Sequence, residues 1–201
     1  MLKSIASDPF AQPILNASCI GPDTRILVVD DHEVNRKVFA ALLGLFGGAP
    51  TVVNDGAQAV LAWELGDWDI ILMDIQMPVM DGVTATRLIR AREQESGRAR
   101  TPIIAVTCNT STEDAASYRS AGMDALVPKP IEFAALIAAM NGAVRDAPAR
   151  EGIERYRPIR LEPHSIGDAK VLAAYIAKEL NRLGIARSKA HGAVSADMAH
   201  G

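Results

Sequence analysis

The sequence predicts an α/β fold in which a doubly wound five-stranded parallel sheet carries helices on both faces. Three observations predict it. Short, continuous apolar runs recur along the chain, and such runs are typical of strands that are buried on both faces. A stretch with helical spacing of apolar residues follows each run. Glycine-containing segments separate many of these units, and a regular alternation of strand and helix favours a parallel sheet.

The individual elements follow in order from these patterns. The predicted strands are residues 25–29, 49–53, 69–73, 102–106 and 125–127. The first predicted helix begins near residue 33, and the other four span residues 57–65, 82–92, 112–121 and 131–144. The first helix is expected to bury an apolar stripe and to end at Gly47-Gly48; the stripe consists of Val34, Val38, Leu42 and Leu45. Ser111 or Thr112 is expected to cap the fourth helix.

The chain divides into three predicted parts. Residues 1–23 contain prolines and glycine and are interpreted as an N-terminal linker, and residues 24–146 form the α/β domain. Residues 147–201 are predicted to be a C-terminal extension with one helix over residues 166–183 and a disordered end. The helix is expected because apolar residues recur there at helical spacing, namely Leu172, Ile176, Leu180 and Leu183.

Composition excludes several classes of function. The 201 residues carry a net charge of only −3, which favours neither direct nucleic-acid binding nor membrane insertion. The extension is too short for a winged DNA-binding domain or a four-helix bundle. Two unclustered cysteines, Cys19 and Cys108, indicate neither a disulfide framework nor a zinc site. With no apolar core of a signal peptide near the N-terminus, a cytoplasmic location is expected.

Polar residues follow four of the five predicted strands. Asp30 and Asp31 follow the first strand, Asp74 the third, Thr107 the fourth and Lys129 the fifth. The carboxyl ends of parallel strands lie at one edge of a sheet, where ligands bind in doubly wound folds. Clustered carboxylates repel one another unless a cation lies among them, and oxygen ligands suit Mg²⁺. A carboxylate in such a site can act as a nucleophile toward phosphorus, with Lys129 neutralising phosphoryl oxygens.

These residues carry a resemblance to a known family. The segments 28–31, 73–82, 103–107 and 128–130 read VVDD, MDIQMPVMDG, IIAVT and PKP, and together they resemble the receiver domain of two-component response regulators. In motif style the chain is closest to the receivers of hybrid sensor histidine kinases. The resemblance implies a flavodoxin-like receiver fold that serves signalling rather than enzymatic turnover, with slow self-catalysed phosphorylation and dephosphorylation.

The resemblance also implies a role for each site residue. Asp74 would be the phosphoacceptor, and Mg²⁺ would be bound by Asp30, Asp31, Asp74 and the backbone carbonyl of Gln76. Lys129, in a cis peptide with Pro130, and Thr107 would contact the phosphoryl group. The implied donor is a sensor histidine kinase or a histidine phosphotransfer protein. A downstream protein partner would bind the fourth helix, fifth strand and fifth helix.

Two alternatives remain open. The first is a degenerate receiver that acts as an interaction scaffold, because Leu126 stands where receivers commonly carry an aromatic residue and Pro128 precedes the lysine. The second is a phosphohydrolase with Asp74 as nucleophile. Haloacid-dehalogenase-like enzymes require an acid two residues after the nucleophile to protonate the leaving group. The residue at that position is Gln76, which cannot do so, and this counts against the phosphohydrolase.

Overall fold

The sheet and its helices have the predicted order. A computed structural model describes residues 20–146, so the expectations for residues 1–19 and for the extension, including its helix, lie outside the described residues. All strand pairs are parallel, and the sheet order is β2-β1-β3-β4-β5. The strands are β1 (Ile26–Val29), β2 (Thr51–Val53), β3 (Ile70–Asp74), β4 (Ile103–Thr107) and β5 (Ala125–Pro128). The helices are α1 (Glu33–Gly44), α2 (Gly56–Leu65), α3 (Gly82–Ser96), α4 (Thr112–Ala121) and α5 (Phe133–Asp146).

The core has one layer on each face of the sheet. Alternate residues of a strand point to opposite faces, and in β1 Leu27 and Val29 belong to one apolar cluster whereas Ile26 and Val28 belong to the other. The first cluster includes residues of α2, α3 and α4, and the second includes residues of α1 and α5. The central strands β3 and β4 are buried along their whole length, as a sheet covered on both faces requires. The doubly wound fold is therefore confirmed.

The predicted buried stripe of α1 is wrong. Of its four residues, Val34, Val38 and Leu45 are 71%, 43% and 42% exposed, and Leu42 is half-buried. The core contacts of this helix come from Phe39 and Leu43. The two sets lie on opposite sides of the helix, since each residue advances about 100° around the axis. The larger aromatic side chain takes the inward position, and the β-branched residues are left facing solvent. Helix α1 and its C-cap residue Leu45 therefore present an outward apolar stripe, which we define as Val34, Val38 and Leu45.

Several helix ends differ from the predictions by a few residues. Helix α1 ends at Gly44, and the chain turns afterwards through Gly47, whose φ is +77°. Helix α3 continues four residues beyond the predicted end, to Ser96, and stops at Gly97 in the left-handed conformation. The predicted limits of α4 are confirmed, and the Ser111 hydroxyl caps it by accepting a hydrogen bond from the Asp114 amide. Among the described residues, no helix is long and apolar enough to cross a membrane.

A buried ionic network lies at the edge of the sheet opposite the strand carboxyl ends. The Arg90 guanidinium, whose side chain is 10% exposed, donates to Glu93, to Asp124 and to the carbonyl oxygens of Thr101 and Gly122. Glu93 in turn accepts a hydrogen bond from the Thr101 amide at 2.7 Å. Burial lowers the pKa of Arg90, although Glu93 and Asp124 oppose that shift. The network ties α3 to the start of β4 and β5.

Candidate functional site

Three charged side chains meet at the carboxyl ends of the strands. Asp30 follows β1, Asp74 ends β3 and Lys129 follows β5, so the fold brings together residues that are up to 99 positions apart. β1 and β3 are neighbours in the sheet although β2 lies between them in the chain, and this reversal of strand order forms the crevice where doubly wound sheets bind ligands. The predicted convergence of these three residues is thus present in the geometry.

Lys129 bridges the two aspartates. Its Nζ lies 2.8 Å from Asp74 Oδ2 and 2.9 Å from Asp30 Oδ2, with only 16% of the lysine side chain exposed. Burial alone would lower the pKa of Lys129, but the hydrogen bonds to Asp74 and Asp30 outweigh it, and the pKa is raised. The ammonium group is therefore held charged between two carboxylates. The Lys129-Pro130 peptide is cis, as the resemblance implied.

Asp74 is a buried carboxylate with an altered proton affinity. Only 6% of the residue is exposed, and burial raises the pKa of its carboxyl group, although Lys129 lowers it through a hydrogen bond and through its charge. The charge of Asp30 adds to the increase. Two carboxylates share one lysine here, so the site carries excess negative charge, and a cation would relieve it.

The carboxylate of Asp30 is fully buried and held by several donors. The His32 amide donates to Oδ1 at 2.9 Å, and Asn35 Nδ2 lies 3.0 and 3.1 Å from the two carboxylate oxygens. Arg36 Nη1 donates to the Asp30 carbonyl oxygen at 2.7 Å. Sequence reasoning gave Asn35 and Arg36 no role. No local signal in the sequence identifies them, because both contacts depend on the turn between β1 and α1.

The described residues contain an acidic group that suits a divalent cation. Asp30, Asp31 and His32 each offer a ligand atom within 4.8 Å of the others, and Asp31 Oδ1 lies 2.8 Å from His32 Nδ1. The Asp31 side chain is 24% exposed, whereas the Asp30 oxygens are buried and already accept hydrogen bonds. Hard carboxylate oxygens match the preference of Mg²⁺, so the donor chemistry fits that ion.

The remaining predicted residues lie at the end of β4, in β5 and in the loops after β3 and β4. Thr107 is 2% exposed at the end of β4, its hydroxyl accepts a hydrogen bond from the Asn109 amide, and its carbonyl accepts one from the Lys129 amide. Gln76 is exposed in the loop after β3. Leu126 is partly buried against the core cluster that includes α4. Cys108, directly after Thr107, is an exposed free thiol.

Gly82 allows the loop after Asp74 to pack closely on the strand. Its amide donates to the Ile75 carbonyl at 3.0 Å, and a Cβ at this position would overlap the Asp74 carbonyl oxygen and lie 2.9 Å from Met73 Cγ. Asp81 caps the following helix by accepting a hydrogen bond from the Thr84 amide. The start of α3 is therefore fixed against the backbone of Asp74.

Comparison with known proteins decides the family. The model of the response regulator receiver domain matches residues 26–141, which include every site residue described above. The chain belongs to the response regulator receiver domain family. It is 34% identical over 145 residues to hybrid signal transduction histidine kinase G of Dictyostelium discoideum, covering 71% of this chain and 4% of that protein. It is 36% identical over 130 residues to the sensor protein GacS of Pseudomonas syringae, covering 63% of this chain and 14% of that protein. The chain thus spans a small part of these relatives.

Solved receiver domains have the same fold. The receiver domain of a Pseudomonas aeruginosa sensor histidine kinase, crystallised with a magnesium ion in its active-site cleft, is 41% identical, with a TM-score of 0.54 over 61% of this chain and 98% of that one. The receiver of the Arabidopsis thaliana histidine kinase CKI1, complexed with Mg²⁺ and BeF₃⁻, is 36% identical, with a TM-score of 0.53 over 60% and 90%. The Saccharomyces cerevisiae receiver of Ssk1, crystallised with the histidine phosphotransfer protein Ypd1, is 26% identical, with a TM-score of 0.57 over 61% of this chain and 92% of that one.

Proposed function

We propose that this receiver domain of a two-component system accepts a phosphoryl group from a phosphohistidine onto Asp74, with Mg²⁺ as cofactor. The observation that carries the proposal is the placement of Lys129 between the buried carboxylates of Asp30 and Asp74 at the strand ends. Asp31 would bind the ion directly and Asp30 through water, and Asp74 and the Gln76 carbonyl would complete the protein ligands. The donor would be a sensor histidine kinase or a histidine phosphotransfer protein.

The proposed reaction replaces a P–N bond with a P–O bond. A carboxylate oxygen of Asp74 forms a bond to phosphorus while the bond from phosphorus to the histidine nitrogen breaks, and the electron pair stays on the imidazole. Bound Mg²⁺ supplies positive charge that neutralises phosphoryl oxygens. Lys129 stays anchored by Asp30 and pairs with the new phosphoryl group, and the Thr107 hydroxyl donates to it. Because these groups belong to the receiver itself, slow self-catalysed phosphorylation from small donors and slow hydrolysis are expected.

A small phosphodonor tests this reaction without a partner protein. The protein is incubated with acetyl phosphate, with and without Mg²⁺, and phosphate-affinity electrophoresis compares wild type with Asp74→Asn. A Mg²⁺-dependent shifted band that the variant lacks is expected. If neither a small donor nor a phosphohistidine protein shifts the wild type, the proposal is wrong and a scaffold function replaces it. The exposed amide side chain of Gln76 cannot serve as the general acid of a phosphohydrolase.

The outward apolar stripe of α1 suggests where the donor binds. The helix starts three residues after Asp30, and its first valine, Val34, is 71% exposed and follows the acidic residues closely in the chain. A protein that brings a phosphohistidine to Asp74 must cover the rim of this crevice. Val79, 75% exposed, is in the loop that follows Asp74. We propose that the donor buries these apolar groups, and the complex of Ypd1 with a related receiver supports a protein donor of this kind.

The predicted contact face of a downstream partner, formed by α4, β5 and α5, differs from the donor surface in polarity. Helix α4 exposes polar and small side chains, including Glu113, Ser117 and Arg119, and the large exposed apolar residues of the described chain all lie outside α4, β5 and α5. We retain this face as the proposed contact of a downstream partner. Recognition there would rest on hydrogen bonds and charge, whereas donor recognition would rest on apolar burial.

Matched valine variants test the donor surface. Val38 on α1 and Val52 on the edge strand β2 are both 43% exposed, so Val38→Ser and Val52→Ser remove equal exposed fractions at two locations. Val38→Ser is expected to slow transfer from a phosphorylated histidine phosphotransfer protein several-fold, with the rate from acetyl phosphate unchanged. Equal transfer rates for both variants would show that the donor does not use α1.

A further inference from the structure

Asn35 holds the buried aspartate from the first turn of α1. Its Nδ2 lies 3.0 Å from Asp30 Oδ1 and 3.1 Å from Oδ2, and thus straddles the carboxylate. The neighbouring residue, Arg36, binds the carbonyl oxygen of the same aspartate at 2.7 Å. Two consecutive residues of one helix therefore hydrogen-bond both the side chain and the backbone of Asp30.

The contacts of Asn35 and Arg36 with Asp30 differ in charge, and this difference leaves the charge of the carboxylate uncompensated by α1. The cationic side chain of Arg36 is directed to the neutral carbonyl, whereas the neutral amide of Asn35 is directed to the carboxylate. An amide donor fixes the orientation of a carboxylate without cancelling its charge. The negative charge of Asp30 thus remains available to Lys129, which it contacts through Oδ2 at 2.9 Å.

We propose that Asn35 is a positioning residue that sets the orientation of Asp30, and through it the placement of Lys129 and the affinity of the acidic site for Mg²⁺. Loss of the amide would leave the Asp30 carboxylate with the His32 amide and Lys129 as its described donors. The carboxylate could then rotate toward the lysine and away from the metal position. This inference rests on the proposed function for its consequence in phosphorylation.

Two variants separate hydrogen bonding from packing. Asn35→Ala removes the amide and its volume, whereas Asn35→Leu removes the amide and keeps a side chain of similar shape. Lys37→Ala serves as the control on the same helix, because Lys37 is exposed and pairs with Glu33. Isothermal titration calorimetry measures the Mg²⁺ dissociation constant of the unphosphorylated proteins, and urea unfolding measures their stability.

Both Asn35 variants are expected to bind Mg²⁺ roughly 10-fold to 100-fold more weakly than the control, the range typical for residues that orient metal ligands. Raising the Mg²⁺ concentration should recover part of the acetyl phosphate reaction. Mg²⁺ affinities within two-fold of Lys37→Ala in either folded variant would overturn the inference, whatever their stability. Because the titration needs no phosphorylation, a wild type that binds Mg²⁺ but is not phosphorylated would refute the proposed function alone.

Discussion

Substitution of Gly82 by alanine should lower the stability of the domain and disturb the strand that ends at Asp74. The added Cβ would overlap the carbonyl oxygen of Asp74 and approach Met73 Cγ to 2.9 Å. The overlapped atom belongs to the backbone of a central strand, so it cannot move aside by changing a rotamer. Overpacking of a core by one carbon costs about 1–3 kcal/mol, and contact with a rigid backbone places this substitution at about 3 kcal/mol.

Urea unfolding followed by circular dichroism measures the loss in the free energy of unfolding, and thermal unfolding measures the change in Tm. A loss of about 3 kcal/mol corresponds to a decrease in Tm of roughly 12 °C for a domain of this size. The control is Gly142→Ala in α5, where a Cβ has no atom within 4 Å. That variant should gain about 0.5–1 kcal/mol, since alanine is the better helix former. If Gly82→Ala were as stable as the control, the close packing of α3 on Asp74 would be refuted.

Two further substitutions test the charged groups of the fold. Arg90→Met should lower the free energy of unfolding in urea by about 3–5 kcal/mol, because it leaves the buried Glu93 without its cation. The control Arg87→Met, at an exposed arginine, should change it little. Equal losses in the two variants would contradict a structural role for the network. Asp74→Asn should raise the Tm of the Mg²⁺-free protein at neutral pH, because burial raises the pKa of Asp74 and its ionised form therefore opposes folding. That opposition disappears as the pH falls through the raised pKa, so the difference in Tm should shrink in acid; a difference that grew in acid would contradict the sign of the shift.

The strand-end residues were predictable because two simple rules determine their position. Apolar runs locate the strands, and the carboxyl ends of parallel strands share one edge, so Asp30, Asp74 and Lys129 had to converge. The roles of Asp74 as phosphoacceptor, of Asp30 as a metal ligand and of Lys129 as the partner of the phosphoryl group were assigned by the family resemblance and remain predictions.

The orientation of α1 could not be predicted from periodicity. Two apolar faces compete in this helix, one with Val34, Val38 and Leu45 and one with Phe39 and Leu43, and hydrophobic spacing alone fits both. The packing of Phe39 and Leu43 with α5 and the sheet decides between them, and that is a tertiary property. The exposed valines are the result, and they suggested the donor surface.

Asn35 was missed for a related reason. A polar residue in the first turn of a helix is ordinarily solvated, and nothing in its local sequence shows that a buried carboxylate lies within reach. Its contact with Asp30 depends on the turn between β1 and α1, where the His32 amide bonds the same carboxylate. Such positioning contacts become visible only once the loop geometry is known.

The central proposal is that Asp74 carries the phosphoryl group. Reduction of the phosphorylated protein with borohydride converts an aspartyl phosphate to homoserine, and peptide mass spectrometry locates the converted residue. After incubation with acetyl phosphate and Mg²⁺, homoserine is expected at position 74 and unmodified aspartate at Asp30 and Asp31. Homoserine at another aspartate, or none in protein that carries phosphate, would contradict the assignment of Asp74 as the phosphoacceptor.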